Sequence, residues 1–330
     1  MNKKLFTALT LVFAMSTGLF AQNGTRSFLQ PDDSLAKQSS RQIKAGDVTM
    51  TIYPTKGAKI MSLKYKDQEV ISQLRFPESF GSTFWTSPQK EWNWPPVQEF
   101  DKGVYQVEDA ITHHPSSITL VSEVSPKLKY RIRKTFAVDD TFPQSGESGG
   151  GFVVTYSIIN ESDETRQVAP WEITRVANDG GVIFFDAPLD GITPSGLLPF
   201  TSAHGAVWYQ PDEAGQNRKI NADGKGWYAY YNHGLLLLKV FDDLPSPSGG
   251  SQEGGPAPGE AEIQIYMNRG KTFIELESQG AYTTLKPHEA LNWTVRWYLL
   301  PVKGDATSPT PNTHHPSTSQ LIDTVRNILR

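Results

Sequence analysis

From residue 45 onward the chain alternates apolar and polar residues with a period of two, as half-buried β-strands do. Val48, Met50 and Ile52 alternate with Thr49, Thr51 and Tyr53. Segments of strand character follow at 104–110, 118–124, 130–138, 152–160 and 167–176. They continue at 181–185, 205–209, 227–231, 235–241, 262–267, 272–277 and 291–300. Turn signals rich in Asp, Asn and Gly separate them, at 139–140, 160–163, 179–181, 223–224 and 232–234. Many strands joined by short turns, without helices between them, predict an all-β fold, an antiparallel sandwich or barrel. The period changes only at the end. Leu321, Ile322, Val325, Ile328 and Leu329 recur at helical spacing, and Ser317 with Gln320 is spaced like a capping box. A short amphipathic C-terminal helix is therefore expected over 319–330.

Two stretches interrupt the β pattern. Residues 143–151 and 245–259 are rich in Gly, Pro and Ser and read as loops, because strands of the same character resume after each. At the other end, Lys3 and Lys4 precede an apolar run from Leu5 to Phe20, with Ala21 before a cut at Gln22. That is the pattern of a bacterial-type export signal, too short for a stable span, so a periplasmic or secreted protein is expected, with no membrane insertion after cleavage. The expected organisation is a signal over 1–21, a flexible lead-in over 22–44, one β domain over 45–302, and a polar tail with its helix over 303–330. The 330-residue chain has no cysteine, so an exported form relies on its core and not on disulfides. Losing Lys3 and Lys4 with the signal leaves 29 basic against 35 acidic residues. This mild acidity, without a basic patch, argues against nucleic acid as a partner.

The densest chemistry lies in GSTFWTSPQKEWNWPP, from Gly81 to Pro96. Its prolines and its lack of alternation read as an irregular loop carrying Trp85, Trp92 and Trp94 beside Gln89 and other polar groups. Flat indoles next to convergent donors and acceptors suit a sugar ring; the same tryptophans equally suit a plug at the end of a β core. In TFIELES, Ile274 and Leu276 face one way and Phe273, Glu275 and Glu277 the other. Two carboxylates on one strand face raise each other's pKa if desolvated, which makes either a general acid or base; on a solvent face they are ordinary. In VAPWEITRV, Trp171, Ile173 and Arg175 share one face, and Glu172 and Thr174 the other. An inward Arg175 needs either Glu275 or Glu277, or a ligand's polar groups. The pairs His113–His114 and His314–His315 read as exposed loop residues, and His204, His233 and His288 are single. No zinc spacing, phosphate loop or nucleophile elbow occurs, so no metal or cofactor is expected.

Taken in order, TIYPTKGAKIMSLKYKDQEVI, YRIRKTFAVDD, FVVTYSIINESDE and FIELESQGAYTTLKPHEALNWTVRWYLLP resemble the galactose mutarotase-like group, over about 45–302. SPQKEWNWPP and PWEITRV look most like an uncharacterised bacterial branch of it. The resemblance implies a large antiparallel β supersandwich with a sugar cleft on a concave face. Aldose 1-epimerases of the group use a glutamate base, which carries over to Glu277, with Glu275 as near alternative, and a histidine acid. The matching segments here hold Trp171 and Glu172 and no histidine; Glu172 replaces the acid if burial raises its pKa and its strand face allows. The leading expectation is a carbohydrate-binding protein that uses Trp85, Trp92 and Trp94 for stacking and Gln89, Arg175 and Glu277 for polar contacts, with Trp171 nearby. The alternatives are an epimerase acting at an anomeric carbon with Glu277 as base, and a non-catalytic module that docks an envelope protein through its aromatic loop.

Overall fold

Along residues 290–301, Trp293, Val295 and Trp297 turn inward while Asn292 and Arg296 face solvent, and this two-residue period builds both layers of the fold. The computed structural model describes residues 39–74, 76, 79–108, 116–142, 149–245, 253–304 and 316–330, all within one compact unit spanning Asp32–Arg330. The first sheet runs β1 (Arg41–Ala45), β2 (Val48–Tyr53), β3 (Lys59–Tyr65), β5 (Ser82–Ser87), β10 (Arg166–Ala177), β18 (Phe273–Gln279), β17 (Ile263–Met267) and β14 (Arg218–Ala222). Off that path, β4 (Gln68–Glu69) pairs with β3 and β19 (Thr283–Leu285) with β10. The second runs β12 (Thr201–Ala203), β13 (Ala206–Tyr209), β11 (Val182–Phe185), β15 (Trp227–Asn232) and β16 (Leu235–Val240). It continues through β20 (Ala290–Pro301), β9 (Gly150–Asn160), β8 (Tyr130–Val138), β7 (Ser117–Val121) and β6 (Gln106–Val107). The pairings between these strands are antiparallel.

The inner faces meet in one core, where Phe84 of β5 stacks on Tyr156 of β9 with ring centroids 4.4 Å apart. The helix α1 (Gln98–Asp101) follows β5, and the helix α2 (Thr318–Leu329) closes the chain. Leu321, Ile322 and Val325 of α2 bury against the outer face of the second sheet, in one cluster with Trp208, Trp227 and Leu300. That packing explains why β20 stops alternating after Trp297 and is buried on both faces. Ser317 caps α2 by accepting from the Gln320 amide at 3.1 Å. The Gln320 side chain donates to the Lys303 carbonyl instead of reaching back, so only half of the expected capping box forms. Among the described residues no helix is long and apolar enough to cross a membrane.

Four expectations are corrected. The segment 81–96 is not wholly a loop: Ser82–Ser87 is strand β5, central in the first sheet. It shows no alternation because all six residues are buried, the outer face being covered as fully as the inner. The lead-in ends earlier than residue 44, because Arg41–Ala45 pairs along β2 and buries Ile43 and Ala45. Strand character expected over 104–110 is confined to Gln106–Val107 among its described residues, and β9 starts at Gly150, inside the expected loop 143–151. The segment 1–21, most of 22–44, the two histidine pairs and parts of both Gly/Pro-rich stretches lie outside the described residues.

One ionic group sits between the sheets. Glu172 of β10 accepts from the Tyr156 hydroxyl at 2.6 Å and from Lys239 of β16, and Glu172 and Lys239 are both fully buried. Lys239 also donates to Thr174 Oγ1 at 3.0 Å and lies 3.1 Å from the centre of the Trp297 ring. Burial lowers the Lys239 amine to about 8, against the pull of Glu172. Removing one member leaves a charge with no partner, whereas removing both leaves no buried charge and only the Tyr156 hydroxyl without its acceptor. Lys239→Met alone should cost about 3–5 kcal/mol in chemical denaturation. The double change Lys239→Met with Glu172→Leu should cost clearly less, and equal losses would contradict the pairing.

Candidate functional site

The site lies on the outer face of the first sheet, and strand register sets its membership. Trp171 stands opposite Trp85 on one side and Gln279 on the other. Ile173 stands opposite Glu277, Arg175 opposite Glu275, and Glu277 opposite Gln264 of β17. On the edge strand β14, Lys219 and Asn221 pair with Tyr266 and Gln264. Residues paired across antiparallel strands point to the same face. One face of five strands therefore carries indoles, amides, carboxylates and cations in adjoining rows. Those on β5, β10 and β18 are buried, under contacts that include Asp101 of α1 on Thr83 and Trp85, while Lys219 and Asn221 on the edge strand stay partly exposed.

Glu277 is the centre of this face. Only 1% of it is exposed. Its Oε2 accepts from the Trp171 indole and from Lys219 Nζ, both at 2.9 Å. Burial pushes its carboxyl up to about 7; Lys219 pulls it down, and Glu275 adds to the rise. Lys219 also lies 4.8 Å from the Trp171 ring centre, and its side chain is 34% exposed, so the pair opens to solvent on the lysine side.

The tryptophans form a packed group. Trp85 meets Trp171, Trp92 and Trp94 edge-to-face, with centroids 5.4, 5.6 and 6.0 Å away. Trp85 and Trp92 are buried and their indole N–H groups are satisfied, by Asp101 Oδ1 at 2.8 Å and the Thr86 carbonyl at 2.8 Å. They are not the open stacking surface expected of them. Trp94, at 53% exposure, is the indole that a ligand can reach. Asp101 holds the group in place: it also accepts from Thr83 Oγ1 at 2.9 Å and from Lys59 Nζ at 3.0 Å. Burial opposes its charge, but Lys59, Trp85 and Arg175 outweigh that and hold the carboxyl below its ordinary value. Gly57 lets α1 seat this closely, since a Cβ there would lie 2.2 Å from the Asp101 carbonyl oxygen.

The structure sorts the remaining expected residues. Arg175 takes the structural role: its Nε donates to Glu275 Oε1 at 2.8 Å. Its Nη2 lies 2.7 Å from the same oxygen, an ion-pair contact without hydrogen-bond geometry. Glu275 is thereby engaged and does not share the role of Glu277. Glu172 is corrected outright as a candidate acid, because alternation turns it to the inner face, where Lys239 and Tyr156 hold it. Gln89 sits half-buried in a single turn after β5, its backbone N–H 3.4 Å from Glu260 Oε1. His204, His233 and His288 occupy left-handed positions in turns, with φ of 54°, 47° and 63°, and none bonds to Glu277.

Sequence reasoning missed Lys219, Asp101, Gln264 and Gln279. Two of them were within reach. RKINA alternates Lys219 and Asn221 against Ile220 and Ala222, a strand signal. Gln279 simply continues the face of Glu275 and Glu277. Asp101 and Gln264 reach the site through tertiary packing and strand order, which no local pattern reports.

Several buried polar atoms here have no hydrogen-bond partner: Gln264 Oε1, Ser87 Oγ and both amide atoms of Gln279. Gln264 uses its other amide atom, Nε2, on Glu260 Oε2 at 2.9 Å. Beside it a cleft of about 360 Å³ is lined by residues that include Asn221, Asp223, Glu260 and Glu262. Among the described residues no group of three or more His, Asp or Glu side chains is placed to hold a metal ion.

No protein-family model matches the sequence, and no curated protein matches it. Solved structures do. An Escherichia coli K12 protein described as a candidate aldose 1-epimerase superposes with a TM-score of 0.57 at 12% identity, over 80% of this chain and 99% of that one. A galactose mutarotase-like protein from Lactobacillus casei gives 0.55 at 14% identity, over 79% of this chain and 100% of that one. A TPR-domain containing protein from Parabacteroides distasonis gives 0.51 at 13% identity, over 84% of this chain and 49% of that one. Likeness over nearly the whole length of the first two, together with the two antiparallel sheets described above, assigns this protein the galactose mutarotase-like fold.

Proposed function

We propose that this protein is exported and binds a carbohydrate on the outer face of its first sheet, at Glu277. One observation carries the reading: a buried carboxylate shared by an indole N–H and a half-open lysine, with an exposed indole on the same face. A sugar presents hydroxyls that both donate and accept beside an apolar C–H face, and this arrangement answers both. Trp94 is the stacking residue to test, because Trp85 and Trp92 belong to the core. In a monosaccharide and glycan screen read by thermal shift, a ligand that stabilises the wild type should bind Trp94→Ala about 1–3 kcal/mol more weakly. If no sugar shifts the melting temperature, the carbohydrate reading fails and the exposed indole belongs to a protein-docking surface.

Exchange at an anomeric carbon is a second reading, favoured by the contact between Glu277 and Lys219. Glu277 removes the proton of the anomeric hydroxyl, and the Lys219 ammonium gives one to the ring oxygen. The ring C–O bond breaks, a carbonyl forms, and reclosure yields the other anomer. Lys219 thus stands where neither Glu172 nor any described histidine can act. The base form of Glu277 grows as pH rises through about 7, so the rate should rise with it. In polarimetry of freshly dissolved α-galactose and α-glucose, Glu277→Gln should lower the catalysed rate about 10²–10⁴-fold with binding largely kept. An unchanged rate in that variant removes this mechanism.

A further inference from the structure

The polar face around Glu277 continues toward the edge of the sheet. Across β18, β17 and β14 the register sets Glu277, Gln264 and Asn221 in one row, so all three point to the same side. Asn221 stands in the wall of the cleft of about 360 Å³, a volume in the range of small-molecule sites. Lys219, two residues before Asn221 on the same face, is the lysine bonded to Glu277. The cleft is open where the centre of the face is closed: Thr193, Asn221, Asp223 and Glu260 in its wall are half-buried or exposed. That wall holds three carboxylates, Asp223, Glu260 and Glu262, and no lysine, arginine or histidine. Glu260 is fixed in place, with Oε2 accepting from Gln264 Nε2 at 2.9 Å and Oε1 3.4 Å from the Gln89 backbone N–H. Glu262 accepts from the backbone N–H groups of Gly226 and Leu244 at 3.0 and 2.9 Å. Burial pushes its carboxyl up to about 7 against those two bonds, and Asp243 and Asp223 add to the rise. Gln264, fully buried and directed at Glu260, keeps its Oε1 without a partner. Acceptors thus outnumber donors on this side of the face, and the described Asp and Glu side chains are not grouped to hold a metal ion. The group that answers such a cleft is an organic cation.

Resting on the carbohydrate reading above, we propose that the ligand is an amino sugar with a free amine, whose ammonium sits in this cleft against Asp223 and Glu260 while its ring faces Lys219. An ammonium brings three N–H donors, one positive charge and no acceptor, which is what a wall of carboxylates without a base lacks. A plain hydroxyl at the same place donates once and leaves the charges unanswered. An N-acetylated amine has no charge and adds a carbonyl that the carboxylates repel. Charge complementarity of this kind acts chiefly on selectivity, because the wrong partner leaves like charges and acceptors facing each other. The Asn221 amide, which both donates and accepts, serves the neutral hydroxyls that any hexose carries. Asp223 and Glu260 are thus specificity-determining residues at the open end of the Glu277 face.

The test uses matched sets that differ in this group alone: glucosamine, glucose and N-acetylglucosamine, and the same three forms of galactose. They are titrated calorimetrically at about pH 6.5, where an amine is charged, into wild type and into Asp223→Asn combined with Glu260→Gln. The expected result is that at least one amino sugar binds tenfold or more tightly than both its parent and its N-acetyl form. In the double variant, which keeps both side-chain shapes, that gap should close with the affinity for the parent sugar unchanged. The wild-type comparison decides the matter even where the variant fails to fold. A gap that survives in a folded double variant places the ammonium elsewhere and overturns the assignment to the cleft. Equal affinities within each set, or preference for a neutral form, overturn the amino-sugar assignment and leave carbohydrate binding standing. No binding by any of these sugars, with a different glycan found in the wider screen, overturns the assignment alone. No binding in either experiment overturns both.

Discussion

A carboxylate taken out of water must be met by charge or by donors, and Glu277 is the place where this fold accepts that demand on an outer face. In an ordinary sandwich the outer side of a sheet is wet, and its polar groups need nothing from the protein. Here β5, β10 and β18 are buried on both faces, under contacts that include Asp101 of α1 on Thr83 and Trp85. Every polar side chain under that cover then needs a partner. Trp171 and Lys219 serve Glu277, Arg175 serves Glu275, and Lys59, Thr83 and Trp85 serve Asp101. The amides of Gln264 and Gln279 are served only in part or not at all. Both amides lie near the carboxyl with the raised pKa, and this singles out the outer face as the candidate site.

Strand β10 shows how one segment does structural and site work at once. Its odd-numbered residues 171 to 175 build the outer face, and Glu172 and Thr174 join the ionic group between the sheets. A one-residue slip would exchange these sets and put Trp171 and Arg175 against the core of the second sheet. The Glu172–Lys239 pair makes that slip costly, because Glu172 is the one carboxylate bonded to Lys239 among the described residues. The inner charge thus fixes the register on which the outer site depends.

The β architecture and the C-terminal helix were legible because period-two alternation and helical spacing are local properties of the chain. So was the shared face of Glu275 and Glu277; whether Arg175 meets one of them or a ligand was open in the pattern, and packing pairs it with Glu275. Strand β5 was not legible, since a strand buried on both faces loses its alternation, and its Ser, Thr and Trp content imitates a loop. For the same reason composition alone cannot tell Trp94 from Trp85 and Trp92: all three sit among polar neighbours, and only packing separates the exposed one from the buried two. Lys219 escaped because it comes from an edge strand far along the chain, brought to Glu277 by sheet order through β17. The alternation that Glu172 follows was visible, but that its inner side holds a lysine was not.

The proposed site depends on Glu277 being desolvated and still able to exchange a proton near neutrality. Carbon-13 NMR titration of the glutamate carboxyl carbons, with Glu277→Gln to assign the signal, measures this directly. A midpoint near 7 is what the buried, lysine-paired environment dictates. A midpoint near the ordinary glutamate value of about 4.3 would mean that Lys219 and Trp171 cancel the effect of burial, and would contradict a carboxyl that exchanges its proton near neutrality.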